Sequence, residues 1–483
     1  MVRTRSNLFA AAVAILTLQL LESSHALSSI ANNDVTRIGF PRAAPRFFPR
    51  RKIWHPNRND DENIDESHIM NPSNHATPPL ISPATGLKNQ IYEWKYGQRI
   101  RYQVNGPVDG TPIILVHGLF VNSDHWRKTL LGLPKEEGNY RVYAFDMLGM
   151  GYSSKPPIDS DIAQAINGET DRRHHQGGNV LSSQGNNESD FVSKNIELTS
   201  GCGTKRRVCD VDLKHPLKSP YNFYTWSDVL TGFARDIVLQ DQGHHSDERG
   251  ATKQKIALVS NSKGTVTCLQ AMMDDVNDEL FSGVFGMSPN FRELHPAEME
   301  YPTLTFPILK RIQSLLRNPS IGHRLYNQAL KNPDTIKNIL LGDPYQVKDA
   351  VDDALVQVLR DPLLHAPGAA SVVMDTLSYS GGPLIEQQLS DMQISRRDED
   401  HDENNRSRKR PPIWFLYGKD DPWTPSGRME ALNERQNVGR VIGLDGVGHC
   451  PHDEAPELVH PLLVDFLKQA RSQALAFEEE DSS

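Results

Sequence analysis

The sequence predicts an α/β fold with a mostly parallel sheet flanked by helices and a helical cap inserted between late strands. Two patterns support this prediction. Most of the short apolar runs rich in β-branched and aromatic residues are continuous rather than alternating, as in strands buried on both faces. Helical patterns separate these runs, and such alternation is typical of a parallel sheet.

Eight apolar runs are predicted strands. The first two form a hairpin around Gly97. Helical spacing is clear from Trp226 to Ile237 and again after Ser262. The predicted strands are Ile91–Tyr96, Ile100–Val104, Pro112–Val116, Arg141–Phe145, Ile256–Val259, Val284–Met287, Ile413–Tyr417 and Val441–Leu444.

Residues 289–394 form the predicted cap. Apolar residues recur there at helical spacing, as in Val351, Leu355 and Val358. Because the segment lies between two predicted strands, it sits over the ends of the sheet. Some of its apolar side chains either line a pocket or form the cap's own core: Phe306, Leu309, Ile312, Leu315, Leu316, Leu340 and Leu341.

Polar segments interrupt the alternation of predicted strands and helices. They account for the low apolar content of the chain, which is 37% with a mean hydropathy of −0.52. Such loops are tolerated because closure entropy rises slowly with loop length. The prediction divides the chain after residue 87 into an α/β core of 88–288 and 411–472, disordered insertions at about 158–219 and 242–255, a charged loop at 395–410 and an acidic tail at 473–483.

The first residues predict a two-part targeting sequence. Arg3 and Arg5 precede an apolar run and then small residues, so residues 1–26 are a predicted signal peptide. Residues 27–60 are basic and poor in acids, as transit peptides are, and 61–87 form a linker. A signal followed by a transit segment indicates a plastid behind secretory membranes. The alternative is a secreted or endomembrane protein with a basic linker.

Charge and cysteine content exclude several classes of protein. The net charge of −9 argues against a binder of duplex nucleic acid, which needs a basic face. Four cysteines in 483 residues exclude a disulfide scaffold. No CxxC pair is present, so no zinc site is expected. A bridge between Cys202 and Cys209 stays open.

The segment SNSKG carries the predicted nucleophile. It follows the strand Ile256–Val259 and precedes a helix, which is the context of a nucleophile elbow. The turn exposes the Ser262 hydroxyl, and Gly264 permits close packing of helix and strand. Ser260 replaces the first glycine of the usual G-x-S-x-G pattern. The alternative is an ordinary serine-rich turn.

Serine is a weak nucleophile and needs a base, which in turn needs an acid. His449 follows the last predicted strand and suits the role of general base. Asp421, in GKDDP after the strand Ile413–Tyr417, is chosen as the acid over Asp420. The neighbouring His452 and His460 are interpreted as solvent-exposed loop histidines.

Acyl transfer also needs donors for the oxyanion. The backbone amides of Leu119, in HGL after an early strand, and of Lys263 are the expected pair. His117 is interpreted as a structural turn residue. The order Ser…Asp…His, with each residue after a strand, is that of the α/β-hydrolase fold.

The chain also resembles the plant and cyanobacterial α/β hydrolases that include chlorophyll dephytylase and pheophytinase. The resemblance rests on HGLFVNSDHWRK, AFDMLGMGYSSKP, YGKDDPWTP and VGHCPHDEAPELVHPLL, and in the cap on IKNIL and SYSGGPL. The elbow departs from that group, because Lys263 follows the nucleophile and Thr265 replaces a second glycine. These changes put the exact substrate in doubt.

The resemblance implies hydrolysis of the phytyl ester of chlorophyll or pheophytin through an acyl-enzyme, with no cofactor and no metal. It also implies a hydrophobic ester as partner, with peripheral contact to thylakoid membranes as a further option. Two alternatives stay open: a carboxylesterase or lipase acting on another hydrophobic ester, and a non-catalytic binding protein on the same fold.

Overall fold

An eight-stranded sheet forms the centre of the protein, and every predicted strand is present within a few residues of its predicted bounds. The computed structural model describes residues 77–176, 196–199, 205–208, 219–242, 254–275, 280–290, 311, 314–377, 383–399 and 411–481. In sheet order the strands are β1 Gln90–Trp94, β2 Gln98–Asn105, β4 Tyr140–Phe145, β3 Thr111–Val116, β7 Ile256–Asn261, β8 Phe281–Met287, β9 Ile413–Gly418 and β10 Arg440–Leu444.

The sheet is antiparallel at one edge and parallel elsewhere. β1 pairs with β2, and β2 with β4, in antiparallel register, and the first of these pairs is the predicted hairpin. The pairs from β4 through β3, β7, β8 and β9 to β10 are parallel. The parallel strands therefore end at one common edge, where the loops that follow them can meet.

Helices cover both faces of the sheet. Those after β3, β7 and β10 are amphipathic segments whose apolar stripes face the strands. The helices are α1 Arg127–Gly132, α2 Asp161–Gln176, α3 Phe223–Phe233, α4 Lys263–Asp274, α5 Pro319–Lys331, α6 Thr335–Gly342, α7 Asp353–His365, α8 Ala369–Leu377, α9 Ile385–Glu399, α10 Ser426–Leu432, α11 Pro451–Glu454 and α12 Pro456–Asp481.

Two apolar clusters fill the layers between sheet and helices. On one face α3 and α4 pack on the sheet and α9 packs on α4, and the cluster includes Phe233, Leu258 and Leu389. On the other face α1 and α12 pack around Trp126 and Phe466. The alternate residues of β3 and β7 thus point into different clusters, which explains why these strands read as continuous apolar runs.

The helices α5 to α8 lie in the chain between β8 and β9, where the cap was predicted. Leu316, Tyr326 and Met374 form an apolar cluster within this segment. The helix α9 differs from the prediction. Its Ile385 and Leu389 belong to the same core cluster as the sheet, and Met392 packs against it, so residues 385–392 pack with the core rather than with the cap.

The structure also places regular elements in the predicted disordered insertion 158–219, in the charged loop and in the acidic tail. Helix α2 and a hairpin of β5 Ile196–Thr199 and β6 Lys205–Val208 lie within 158–219. Ala163 and Ile166 of α2 are buried, because three-residue spacing puts them on one face. Helix α9 enters the charged loop, and α12 continues through the acidic tail to Asp481.

The predicted linker ends earlier than expected. Ser82 is buried, and its hydroxyl donates a hydrogen bond to Asp124 at 2.6 Å. The signal and transit segments, the Cys202–Cys209 pair and the side chains of Phe306, Leu309 and Ile312 lie outside the described residues. In the part of the chain that the structure describes, no helix has the length and apolar character needed to span a bilayer.

Candidate active site

Ser262 occupies a strained turn between β7 and α4. Its φ is 55° and its ψ is −121°, a conformation that non-glycine residues rarely adopt and that costs about 1–3 kcal/mol. Backbone hydrogen bonds hold it there: the Ser262 amide donates to the Met287 carbonyl at 2.9 Å, and the Thr265 amide donates to the Ser262 carbonyl at 3.1 Å. These two hydrogen bonds thus stabilise the strained turn that carries the Ser262 side chain.

Two glycines allow the loop after β3 to approach this turn. A side chain at Gly264 would lie 2.4 Å from the Val116 carbonyl oxygen, so no larger residue fits there. A Cβ at Gly118 would lie 3.1 Å from the Ser262 Cβ. The predicted oxyanion segment, Gly118–Leu119, therefore runs beside Ser262, as does the first turn of α4 with Lys263. Lys263 is largely buried.

Two of the three residues that depart from the usual elbow patterns, Ser260 and Thr265, contact each other. The Ser260 hydroxyl donates to the Thr265 hydroxyl at 3.1 Å, and both residues are fully buried. The methyl group of Thr265 fits where Gly286 of β8 lacks a side chain, since a Cβ there would lie 2.6 Å from it. The extra bulk of Thr265 is therefore accommodated by a neighbouring glycine.

Asp421 and His449 are brought together by a short hydrogen bond. The distance from His449 Nδ1 to Asp421 Oδ2 is 2.7 Å, and both residues are buried. Burial raises the pKa of Asp421, but the imidazole and the Trp423 amide, which donates to Asp421 at 2.8 Å, outweigh it and hold this pKa below its usual range. Asp420, the rejected candidate, is exposed and accepts from the Gly446 amide.

His117 uses both ring nitrogens in backbone hydrogen bonds. The Met147 amide donates to Nε2 at 3.0 Å, so Nδ1 carries the proton and donates to the Gly118 carbonyl at 2.6 Å. Burial lowers the pKa of this imidazole, which favours its neutral form. Its contacts fix the loop that leads to Leu119.

Sequence reasoning missed the residues that hold the histidine loop. Asn261, next to Ser262, donates from Nδ2 to the His449 carbonyl at 3.0 Å. The His449 amide donates to the Pro344 carbonyl at 2.7 Å, which joins this loop to the cap segment. The Glu454 carboxylate accepts from the amides of Gly448 and Cys450. The GHCPHDEAP motif contained the signal for Glu454, five residues after the histidine.

The interpretation of His452 and His460 as solvent-exposed is wrong. His452 is 1% exposed and His460 is 8% exposed. The His452 ring lies 4.1 Å from the Trp126 ring and 4.6 Å from the His125 ring, centroid to centroid. Burial lowers the pKa of His452 well below its usual value. The His452 ring therefore packs in the interior as a neutral group. Histidine is a polar residue type, so the sequence did not indicate that this side chain is buried.

A pocket opens between the core and the cap, beginning at Phe120, next to Leu119. Apolar side chains dominate its wall, including Phe120, Val121 and Met150 from the core and Leu359, Leu363 and Val373 from α7 and α8.

Lys155 adds an ammonium to this wall. It donates to the carbonyls of Gly151 and Ser153, and burial lowers its pKa to about 8.

Of the cap residues predicted either to line a pocket or to form the cap's core, Leu316 and Leu340 pack in apolar clusters and Leu315 is exposed.

The candidate residues are a serine, a histidine and an aspartate, and one cysteine lies next to the histidine in the chain. Among the described residues, no three His, Cys, Asp or Glu side chains are grouped so that they could hold a metal. Cys450, beside His449, is buried, and burial raises the pKa of its thiol well above the usual value. The thiol is therefore protonated at neutral pH and is a poor competitor for the role of nucleophile.

Comparison with known proteins gives one family and several distant relatives. The model described as "Alpha/beta hydrolase family" matches residues 113–462. Pheophytinase, chloroplastic, from Arabidopsis thaliana is 22% identical over 402 residues, which cover 80% of this chain and 68% of that protein. Mesoderm-specific transcript protein from Mus musculus is 37% identical over 92 residues, covering 17% of this chain and 25% of that protein.

Among solved structures, an epoxide hydrolase from Vigna radiata matches with a TM-score of 0.47 at 14% identity, covering 79% of this chain and 98% of the other.

Proposed function

We propose, since this chain belongs to the alpha/beta hydrolase family, that it is a serine hydrolase that cleaves a carboxylic ester through Ser262, His449 and Asp421. The observation that carries the proposal is the 2.7 Å hydrogen bond between Asp421 and His449, at the edge of the sheet where Ser262 occupies its strained turn. The Ser–His–Asp mechanism requires an aspartate that holds the histidine through Nδ1, and the Asp421–His449 pair supplies this contact.

The mechanism runs in two half-reactions. The Ser262 hydroxyl attacks the ester carbonyl while Nε2 of His449 accepts its proton, and Asp421 stabilises the imidazolium through Nδ1. The amides of Leu119 and Lys263 donate to the oxyanion of the tetrahedral intermediate. His449 then protonates the departing alcohol. A water molecule, deprotonated by His449, hydrolyses the acyl-enzyme and releases the acid.

We propose chlorophyll or pheophytin as the substrate and phytol as the departing alcohol. One observation supports this choice: the relative from Arabidopsis thaliana is named pheophytinase. With this substrate the acyl group on Ser262 is the propionate of the tetrapyrrole.

Product analysis tests the proposal. Protein lacking residues 1–60 is incubated with chlorophyll a, pheophytin a and a short p-nitrophenyl ester, beside Ser262→Ala. We expect chlorophyllide or pheophorbide with the wild-type serine and none with alanine. Hydrolysis of the short ester alone would retain the triad and reject the pigment. Turnover of none of the three by folded protein would favour a binding protein.

We also propose that the protein acts in a plastid, with peripheral contact to thylakoid membranes. The basic, acid-poor segment 27–60 after the predicted signal peptide supports the plastid, and the relative from Arabidopsis thaliana is described as chloroplastic. Import of a fluorescent protein fused to residues 1–60 is the expected result in algae with secretory-derived plastids. Secretion of that fusion would overturn the plastid proposal.

A further inference from the structure

Glu454 holds an unusual number of backbone donors for a single side chain. Its Oε2 accepts from the amides of Gln346 at 2.7 Å, Val347 at 3.0 Å and Gly448 at 3.0 Å. Its Oε1 accepts from the Cys450 amide at 2.9 Å. Glu454 is 5% exposed, so these hydrogen bonds form away from bulk water, where unpaired donors are costly.

The four donors belong to two different loops. Gly448 and Cys450 flank His449, so the carboxylate grips the backbone on both sides of the proposed base. Gln346 and Val347 belong to the loop between α6 and α7. This cap loop touches the histidine loop directly as well, because the Pro344 carbonyl accepts from the His449 amide and approaches Gly448 so closely that a Cβ there would lie 2.4 Å away.

Helix capping accounts for only one of these bonds. Cys450 is the N-terminal cap of α11, and its amide is a donor that a glutamate in the first turn can satisfy. The amides of Gly448, Gln346 and Val347 lie outside the helix, and Glu454 is the group that joins them. A glutamate that only capped the helix would not accept hydrogen bonds from those three amides.

We propose that Glu454 is a positioning residue for His449, which holds the imidazole in register with Ser262 by tying the histidine loop and the cap loop to one carboxylate. The inference rests on the proposed function, in which His449 is the base. In the proposed mechanism His449 accepts the Ser262 proton, protonates the departing alcohol and then deprotonates a water molecule. A small displacement of its imidazole therefore slows each of these steps.

Glu454→Gln tests this role with little change in size. An amide offers one acceptor oxygen instead of two, so either three backbone donors or one lose their partner and face an NH2 group. Glu457→Gln is the matched control, because Glu457 is exposed near the start of α12. Both variants and wild-type protein are made as full-length chains.

The first readout is the rate constant for labelling of Ser262 by a fluorophosphonate probe. In that reaction the Ser262 oxygen bonds to phosphorus, fluoride leaves and His449 takes the hydroxyl proton. The labelled amplitude counts folded sites, and the rate constant reports the chemistry of those sites alone. We expect Glu454→Gln to lower this rate constant by roughly 10- to 100-fold and Glu457→Gln to leave it unchanged.

The second readout is the hydrolysis of p-nitrophenyl butyrate. Because His449 serves both half-reactions, acylation and deacylation slow together, so kcat falls while KM changes by less than about threefold. Glu454→Asp, which keeps the charge on a shorter stem, is expected to lie between Glu454→Gln and wild type.

A wild-type rate constant in the labelled sites of Glu454→Gln overturns the positioning role and leaves a structural one. Absence of labelled sites in both Glu454 variants makes Glu454 a folding residue and overturns it too. Absence of labelling in wild-type protein would reject the proposed function, and this inference with it.

Discussion

At the scale of single residues, two adjacent aspartates show how the site depends on the direction in which each side chain points. Asp421 points to His449 from the end of β9, whereas Asp420 faces solvent and accepts from the Gly446 amide. The two residues share type, charge and loop. Their chemistry differs because successive side chains leave a turn in different directions.

Asp421→Asn and Asp420→Asn therefore form a matched pair. An asparagine at 421 cannot hold the imidazole with its proton on Nδ1 or stabilise the imidazolium, so we expect kcat on a p-nitrophenyl ester to fall by roughly 10³- to 10⁴-fold. The Asp420 variant should keep its kcat. Equal losses in both variants would contradict the assignment of Asp421.

At the scale of elements, the cap helix α7 is docked on the core at its proline. Pro362 has no amide hydrogen, so the Val358 carbonyl, four residues earlier, lacks its helical donor. Asn122 supplies one: its Nδ2 donates to that carbonyl at 2.8 Å. An irregularity in a cap helix is thus a contact point for the core loop that also carries Leu119.

A double-mutant cycle tests this docking. Asn122→Ala should lower the unfolding free energy by about 1–3 kcal/mol, since the Val358 carbonyl stays buried without a donor. In a Pro362→Ala background the helix supplies its own amide, so the same change should cost less, with a coupling of about 0.5–1.5 kcal/mol in urea unfolding. Additive losses would show that the two sites are independent.

At the scale of the whole molecule, buried charge ties the antiparallel edge of the sheet to the loops near the site. The Arg101 guanidinium in β2 pairs with Asp124 at 2.8 Å and with Asp146 at 3.1 Å, and all three residues are buried. Burial raises the pKa of Asp146, but the Arg101 charge, His117 and the hydrogen bonds from Ser123 together outweigh it, so this pKa lies below its usual value. Removal of one partner would leave charge unpaired inside the protein.

The segments after β3 and β4 meet at this cluster. Asp124 follows the loop that contains Leu119, and Asp146 directly follows β4, with its carboxylate accepting from the Ser123 amide at 2.8 Å. The position of the proposed oxyanion loop thus depends on charges in a distant strand as well as on its own glycines.

Much of this organisation was legible in the sequence. All eight strands of the main sheet were predicted, most of them from continuous apolar runs, because a strand buried on both faces needs apolar residues at every position. The turn at Ser262, the glycines beside it and the candidate residues Asp421 and His449 were found because each follows a strand, and the ends of parallel strands share an edge.

The sequence by itself determined the sheet and the candidate residues, since both follow from local patterns of apolar and polar residue types. Only the tertiary structure decided which polar residues are buried and what they hold: Glu454 under the histidine loop, Asn122 at the cap helix, Arg101 between two aspartates and His452 against Trp126. A buried polar side chain is stable only with partners from distant segments, and those partners come together only when the chain has folded.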